Sequence, residues 1–209
     1  MRRERCRALL LDLDGVLRRF DPARQRAVES EYGLPEGMLS DLAFAPERLR
    51  PAVLGAVPDA EWMAGVTDAV AAATEDPDRA ARAVAAWREY RGEVVPEVLA
   101  AVREVRASGV PVALGTNATD RLDADLALLG LTGEVDAILN SSVLGHAKPS
   151  AEFFAAACAR LDVPARLCLF VDDDDRNVRG ARIAGLAGFR YGGPADLRYL
   201  SATLAQPAA

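Results

Sequence analysis

The chain alternates between short apolar runs and longer stretches whose apolar positions recur at helical spacing. Residues 8–11, Ala-Leu-Leu-Leu, are uninterrupted apolar, which predicts a strand covered on both faces. Segments 110–117, 136–142 and 167–173 read as further strands, and 188–191 as a weaker last one. Amphipathic stretches at 93–107, 121–129, 151–161 and 176–184 separate them. In the first of these, Val95, Val98, Leu99, Val102 and Val105 share one helical face, with Pro96 in the opening turn. Gly130 and Gly185 stand where helices stop. Strand–helix alternation from residue 93 onward predicts an α/β fold, a five-stranded parallel sheet with helices on both faces.

Residues 19–92 break that rhythm. They contain no strand pattern but helical segments at 22–32, 36–43, 60–73 and 77–90, punctuated by Gly33, Pro35, Pro46, Pro51, Pro58 and Pro77. The reading is a small all-helical insertion after the first strand, with 1–18 and 93–209 forming the sheet-bearing core. An insertion there lies above the sheet edge and can act as a lid that excludes water.

The chain has 209 residues, 51% apolar, enough for one substantial core. A net charge of −6 argues against a nucleic-acid partner. Cys6, Cys158 and Cys168 lack metal-like spacing and suit a reducing compartment. The arginine-rich start resembles the head of a signal peptide, but Asp12 and Asp14 break the apolar run behind it. No stretch approaches the roughly 18 apolar residues of a membrane span. The expectation is a soluble, cytoplasmic protein, monomer or homodimer, with a frayed 206–209 tail.

The chemistry lies in what ends each strand. Strand one ends in Asp12-Leu-Asp14-Gly15, strand two in Thr116-Asn117, and the fourth in Asp172-Asp173-Asp174-Asp175 with Asn177 beyond; Lys148-Pro149 follows the third. Side chains at i and i+2 of a strand point the same way, so Asp12 and Asp14 are expected to stand together at the carboxyl edge, where open α/β sheets bind ligands. So many acids raise one another's pKa values and repel an anionic substrate. A bound Mg²⁺ removes both problems, and Lys148 adds a positive charge for a phosphoryl group.

These four segments resemble, in order and in spacing, the four motifs of the haloacid dehalogenase superfamily of phosphohydrolases, and the resemblance covers essentially the whole chain. It implies a Rossmann-like core with a small helical cap of the C1 type at 19–92. By resemblance Asp12 is the nucleophile that forms an aspartyl-phosphate, and Asp14 is the acid/base. Thr116 and the Asn117 region hydrogen-bond the phosphoryl oxygens, and Lys148 stabilises charge on both Asp12 and the phosphoryl group. Mg²⁺ is held by the Asp12 carboxylate, the Asp14 carbonyl, and Asp173 or Asp172. Many relatives have Gly-Asp where this chain has Asp172-Asp173, and Asn177 replaces a second acid, so Asn177 is given a role in ordering the loop. Asp174 and Asp175 read as solvated or capping residues, and His146 as a loop residue without a catalytic role.

The stretch from Asp14 to Asp21 and the phrase around Phe170–Val178 resemble the branch containing the N-terminal phosphatase domain of soluble epoxide hydrolase. Arg18 and Arg19 read as surface arginines of the insertion, with anionic groups of a substrate as the alternative partner. The implied function is a Mg²⁺-dependent phosphatase for a small phosphorylated metabolite. A phosphomutase, a dehalogenase or a non-catalytic binding module on the same fold are the alternatives.

Overall fold

All four residues of the first strand, β1 (Ala8–Leu11), are buried, as its unbroken apolar run requires. The structure is a computed structural model that describes residues 5–204; the chain start and the 206–209 tail lie outside the described residues. From β1 the chain passes through β2 (Arg18–Arg19) into five helices: α1 (Pro22–Glu31), α2 (Met38–Ala43), α3 (Pro46–Val53), α4 (Asp59–Thr74) and α5 (Pro77–Glu89). It returns through β3 (Glu93–Val94) to α6 (Pro96–Ala107), β4 (Val112–Thr116), α7 (Leu122–Leu128) and β5 (Ala137–Asn140). Then follow α8 (Ser141–Leu144), α9 (Ala151–Arg160), β6 (Cys168–Asp172), α10 (Asp175–Ile183), β7 (Ala187–Arg190) and α11 (Leu197–Thr203).

The main sheet has five strands in the order β5-β4-β1-β6-β7, every pair parallel. This is the five-stranded Rossmann-like α/β sheet expected from the sequence. The strand order reverses beside β1, so the crevice for a ligand opens at its carboxyl end. The alternation within β1 divides the interior. Leu9, Leu11 and Leu13 pack with Val98, Val102 and Val105 of α6. Ala8 and Leu10 join Phe153, Phe154 and Phe170 on the other face. A third apolar cluster, with Leu39, Met63, Val66, Val70 and Val84, belongs to the helical insertion. No helix among the described residues is long and apolar enough to cross a membrane.

Three local readings change. The helix expected from Glu93 begins only at Pro96, because Glu93-Val94 pairs antiparallel with Arg18-Arg19. The two crossings between core and insertion are thus stapled into one short ribbon, a pairing too brief for alternation to reveal. Residues 46–53, read as punctuation because of Pro46 and Pro51, form α3. Pro46 opens that helix, where a missing N–H is harmless, whereas Pro51 lies inside it and removes one helical hydrogen bond. Lastly α8, one turn long, separates β5 from the loop that carries Lys148.

Candidate active site

The parallel register places Leu11 beside Val171, so the residues that follow, Asp12 and Asp172, emerge side by side at the carboxyl edge. The Asp12 amide still donates to the Val171 carbonyl at 2.9 Å. Asp12, Asp172 and Asp173 each offer a carboxylate oxygen, and these atoms all lie within 4.8 Å of one another. Asp12 and Asp172 are buried, whereas Asp173 faces outward. Gly15 makes room for Asp173: its φ is +80°, and a Cβ there would stand 2.1 Å from Asp173 Oδ2.

Lys148 Nζ bridges the two buried acids, 2.7 Å from Asp12 Oδ1 and 2.7 Å from Asp172 Oδ2. Its side chain is 1% exposed, and it is the only lysine of the chain. Asn117 holds the Lys148 backbone in place: Nδ2 donates to the Lys148 carbonyl at 3.0 Å, and Oδ1 accepts from its amide at 2.8 Å. The carboxamide of Asn117 is therefore engaged in positioning Lys148. Thr116, the last residue of β4, is buried beside it.

Asp172 is fully engaged as well. Besides Lys148, it accepts from the Asp174 amide at 2.8 Å and from Asn177 Nδ2 at 3.2 and 3.1 Å. Asp174 caps α10 by accepting from the Arg176 amide at 2.7 Å. Among the described residues, Asp173 and Asp12 are the members of the trio with carboxylate capacity left for a ligand to share.

The electrostatics follow from this crowding. Burial pushes the Asp12 carboxyl well above its usual range, with Lys148 opposing and Asp172 reinforcing the rise. Asp173 is raised too, by partial burial and then by Asp172. Burial alone lowers Lys148, but the carboxylates of Asp12 and Asp172 outweigh it and hold the ammonium above its ordinary range. The carboxylates of Asp12 and Asp173, with Asp172 beside them, could hold a divalent cation, which lowers the pKa of every acid it touches.

Asp14 does not join this trio. β1 ends at Leu11, and the chain turns before Asp14, so the i, i+2 rule for strands no longer governs where its carboxylate goes. Arg18 takes it: Nε donates to Oδ1 at 2.6 Å and Nη2 to Oδ2 at 2.9 Å. The reading of Arg18 as a surface arginine is corrected here. Its residue is 6% exposed, it lies on β2 rather than on a helix, and its partner is Asp14. Arg19, by contrast, is exposed and pairs with Glu93 at 3.7 Å.

A second polar cluster escaped the sequence entirely. Asp59, at the start of α4, accepts from Thr119 Oγ1 at 3.1 Å and from Arg88 Nη2 at 2.5 Å, while its amide donates to Asp120 at 2.8 Å. The insertion is thereby fixed to the loop that follows Asn117. Nothing in the local pattern marks Asp59, because its partners are 29, 60 and 61 residues away.

Comparison with known proteins places this edge in a family. The model of the haloacid dehalogenase-like hydrolases matches residues 6–185. The ribulose-1,5-bisphosphate 5-phosphatase of Halopiger xanaduensis is 31% identical over 195 residues, 86% of this chain and 82% of that one. A phosphatase of Mycobacterium tuberculosis is 29% identical over 87% of this chain and 85% of its own length. Among solved structures, a haloacid dehalogenase family enzyme of Bacteroides thetaiotaomicron superposes with a TM-score of 0.73 at 17% identity, covering 95% of this chain and 99% of that one. An L-2-haloacid dehalogenase of Xanthobacter autotrophicus gives 0.65 at 23% identity over 94% of this chain and 83% of that one. At those identities the structural likeness is one of fold. The chain belongs to the haloacid dehalogenase-like hydrolases, a family of enzymes.

Proposed function

We propose that this hydrolase is a Mg²⁺-dependent phosphatase of small phosphorylated metabolites, working through an aspartyl-phosphate. One observation carries the reading: a buried lysine bridges two strand-end carboxylates at 2.7 Å each, with a third carboxylate alongside. An ammonium that neutralises a nucleophilic carboxylate and lies next to a dianion's path is what phosphoryl transfer requires, since it depends on positioning and charge neutralisation. Asp12 Oδ attacks phosphorus in line as the P–O bond to the leaving alcohol breaks. Asp14 delivers a proton to the departing oxygen, then takes one from the water that attacks the aspartyl-phosphate. Inorganic phosphate leaves, and Asp12 is restored. Lys148 and the Thr116 region hold the phosphoryl oxygens, with Asn117 fixing the lysine.

Asp12 and Asp173, with the Asp14 main-chain carbonyl, would hold Mg²⁺, which supplies charge neutralisation for the phosphoryl oxygens. Asp172 would support them from behind, because its oxygens already accept from Lys148, Asn177 and Asp174. Residues 19–92 act as the cap over a core of 1–18 and 93–209. Support for the substrate class comes from relatives named as phosphatases of ribulose-1,5-bisphosphate, phosphoglycolate and fructose-1-phosphate. A solved relative described in complex with magnesium and inorganic phosphate supports the ion. The test is hydrolysis of 4-nitrophenyl phosphate with and without Mg²⁺, beside Asp12→Asn. Turnover that needs both the ion and Asp12 is expected; turnover by Asp12→Asn at the parent rate overturns the mechanism.

A further inference from the structure

Between the helical insertion and the sheet edge lies a cavity of about 370 Å³, within the size range of small-molecule sites. Asp14, Asn117 and Thr119 contribute its floor on the core side. Its walls are aromatic to an unusual degree for this chain: Phe20, Phe44, Trp62, Trp87 and Tyr90 all line it. They include both of the protein's tryptophans, in a sequence with six phenylalanines and four tyrosines. The rings form two groups. Phe44 lies 6.4 Å from Trp62 and 6.0 Å from Trp87, tilted against both. Phe20 and Tyr90 meet edge to face at 5.8 Å. Phe44 is half exposed although nothing polar requires it to be there.

The charged residues of the wall cancel. Arg88 is paired with Asp59 at 2.5 Å, Arg18 with Asp14 at 2.6 Å, and Arg91 with Asp125 at 3.6 Å. Three arginines face three aspartates, and each of these six residues lines the cavity. A leaving group with its own carboxylate or second phosphate would find each wall cation already matched, and burying an unmatched charge is strongly disfavoured. A flat apolar ring, by contrast, meets π-faces and edges in the geometries that aromatic groups prefer.

Resting on the phosphatase reading above, we infer that the favoured substrate is the phosphate ester of an uncharged, ring-bearing alcohol, its ring held between the Phe44–Trp62–Trp87 and Phe20–Tyr90 groups. The test measures kcat/KM with Mg²⁺ for three primary alkyl esters: benzyl phosphate, 2-phosphoglycolate and ethyl phosphate. The first carries a ring, the second a carboxylate, and the third neither. The ring ester is expected to exceed 2-phosphoglycolate by about tenfold or more, the scale of one or two aromatic contacts. Phe44→Ala and Trp87→Ala are each expected to lower the ratio of benzyl to ethyl phosphate turnover, by about fivefold to tenfold. Phe44 is the safer site for folding because of its exposure, and the ratio cancels any loss of active protein. Ethyl phosphate hydrolysis with 2-phosphoglycolate preferred, or with ratios untouched by both substitutions, overturns the ring assignment alone. Absence of hydrolysis of all three esters overturns the phosphatase reading, and the inference with it.

Discussion

Arg18 grips Asp14 at both carboxylate oxygens, at 2.6 and 2.9 Å, and reaches Asp125 with its remaining nitrogen at 3.5 Å. Because Arg18 lies on β2, the strand that leads into the helical insertion, the orientation of Asp14 is tied to the path of that crossing. The guanidinium also lies 5.0 Å from the Phe20 ring centroid. Arg18 is buried and Asp14 half exposed, and this two-point pair is the group through which a change in the insertion reaches Asp14, two residues beyond Asp12.

Removing Arg18 leaves Asp14 without its orienting partner. Arg18→Ala is expected to destabilise the protein by about 1–2 kcal/mol in urea unfolding, less than a fully buried ion pair because the Asp14 side chain is half exposed to solvent. Arg18→Lys recovers only part of this, since an ammonium cannot make the two-point contact. With Asp14 as the proton donor, turnover of alkyl phosphates falls more than that of 4-nitrophenyl phosphate, whose leaving group departs without protonation. Equal losses on both ester types contradict the link between Arg18 and proton delivery.

Lys148 offers a direct chemical readout because it is the sole lysine. With 1% of its side chain exposed, its amine should resist lysine-directed acylation in the native protein and react once the chain unfolds. Lys148→Met leaves Asp12 and Asp172 facing each other without a cation. The expected losses are about 100-fold to 1,000-fold in kcat and about 3–5 kcal/mol in stability. Peptide mapping after brief labelling, together with unfolding curves, checks both. Rapid modification of the folded protein would show that the lysine is not enclosed by the two acids.

The strands were legible because an apolar run ending in polar residues has few other readings in a parallel sheet. Asp12, Thr116 and Asp172 each stand at or just beyond such an end, and the sheet brings Asp12 and Asp172 together through backbone register alone. Lys148 could be located only as a lysine before a proline; its approach to both acids depends on Asn117, 31 residues away. Asp14 illustrates the limit. Period-2 reasoning holds only while the chain stays in the strand, and this one leaves after Leu11. Asp59 and Asp125 were hidden for a different cause: pairing with Arg88, Arg18 and Arg91 across long sequence separations leaves no periodic trace. Arg18 and Asp14 are only four residues apart, but they meet across a turn, where neither period 2 nor period 3.6 applies.

Gly15 separates two costs that usually come together. Its φ of +80° disfavours any side chain, and a Cβ would stand 2.1 Å from Asp173 Oδ2. Gly133 has the same φ with nothing within 4 Å, so Gly133→Ala measures the backbone strain alone, about 1–2 kcal/mol. Gly15→Ala should cost more than Gly133→Ala and, because Asp173 must move, should also weaken Mg²⁺ binding. The readout is the rise in Tm on adding Mg²⁺, which should shrink for Gly15→Ala and stay at the parental value for Gly133→Ala.

Asp136 sets a pH dependence away from the candidate site. Its Oδ1 accepts from Arg106 at 3.0 and 2.8 Å, and Oδ2 accepts from the Val112 amide at 2.8 Å, which ties the α6 end to the start of β4. The hydrogen bonds from Arg106 hold the Asp136 carboxyl below its ordinary value of 3.8; burial opposes them, and the Val112 amide adds a smaller lowering. A carboxylate whose pKa is lower folded than unfolded binds fewer protons in the native state, so it stabilises the fold above its unfolded pKa. That contribution is lost as pH falls through the folded value. Asp136→Asn should therefore cost stability at pH 7, on the order of 0.5–1 kcal/mol, since both side chains are partly exposed and the pair is screened. The gap between parent and variant should narrow below about pH 4. Added salt should shrink the Arg106 part at neutral pH. Urea unfolding of both proteins across that range decides the matter, and a gap that widens on acidification would reverse the assigned sign.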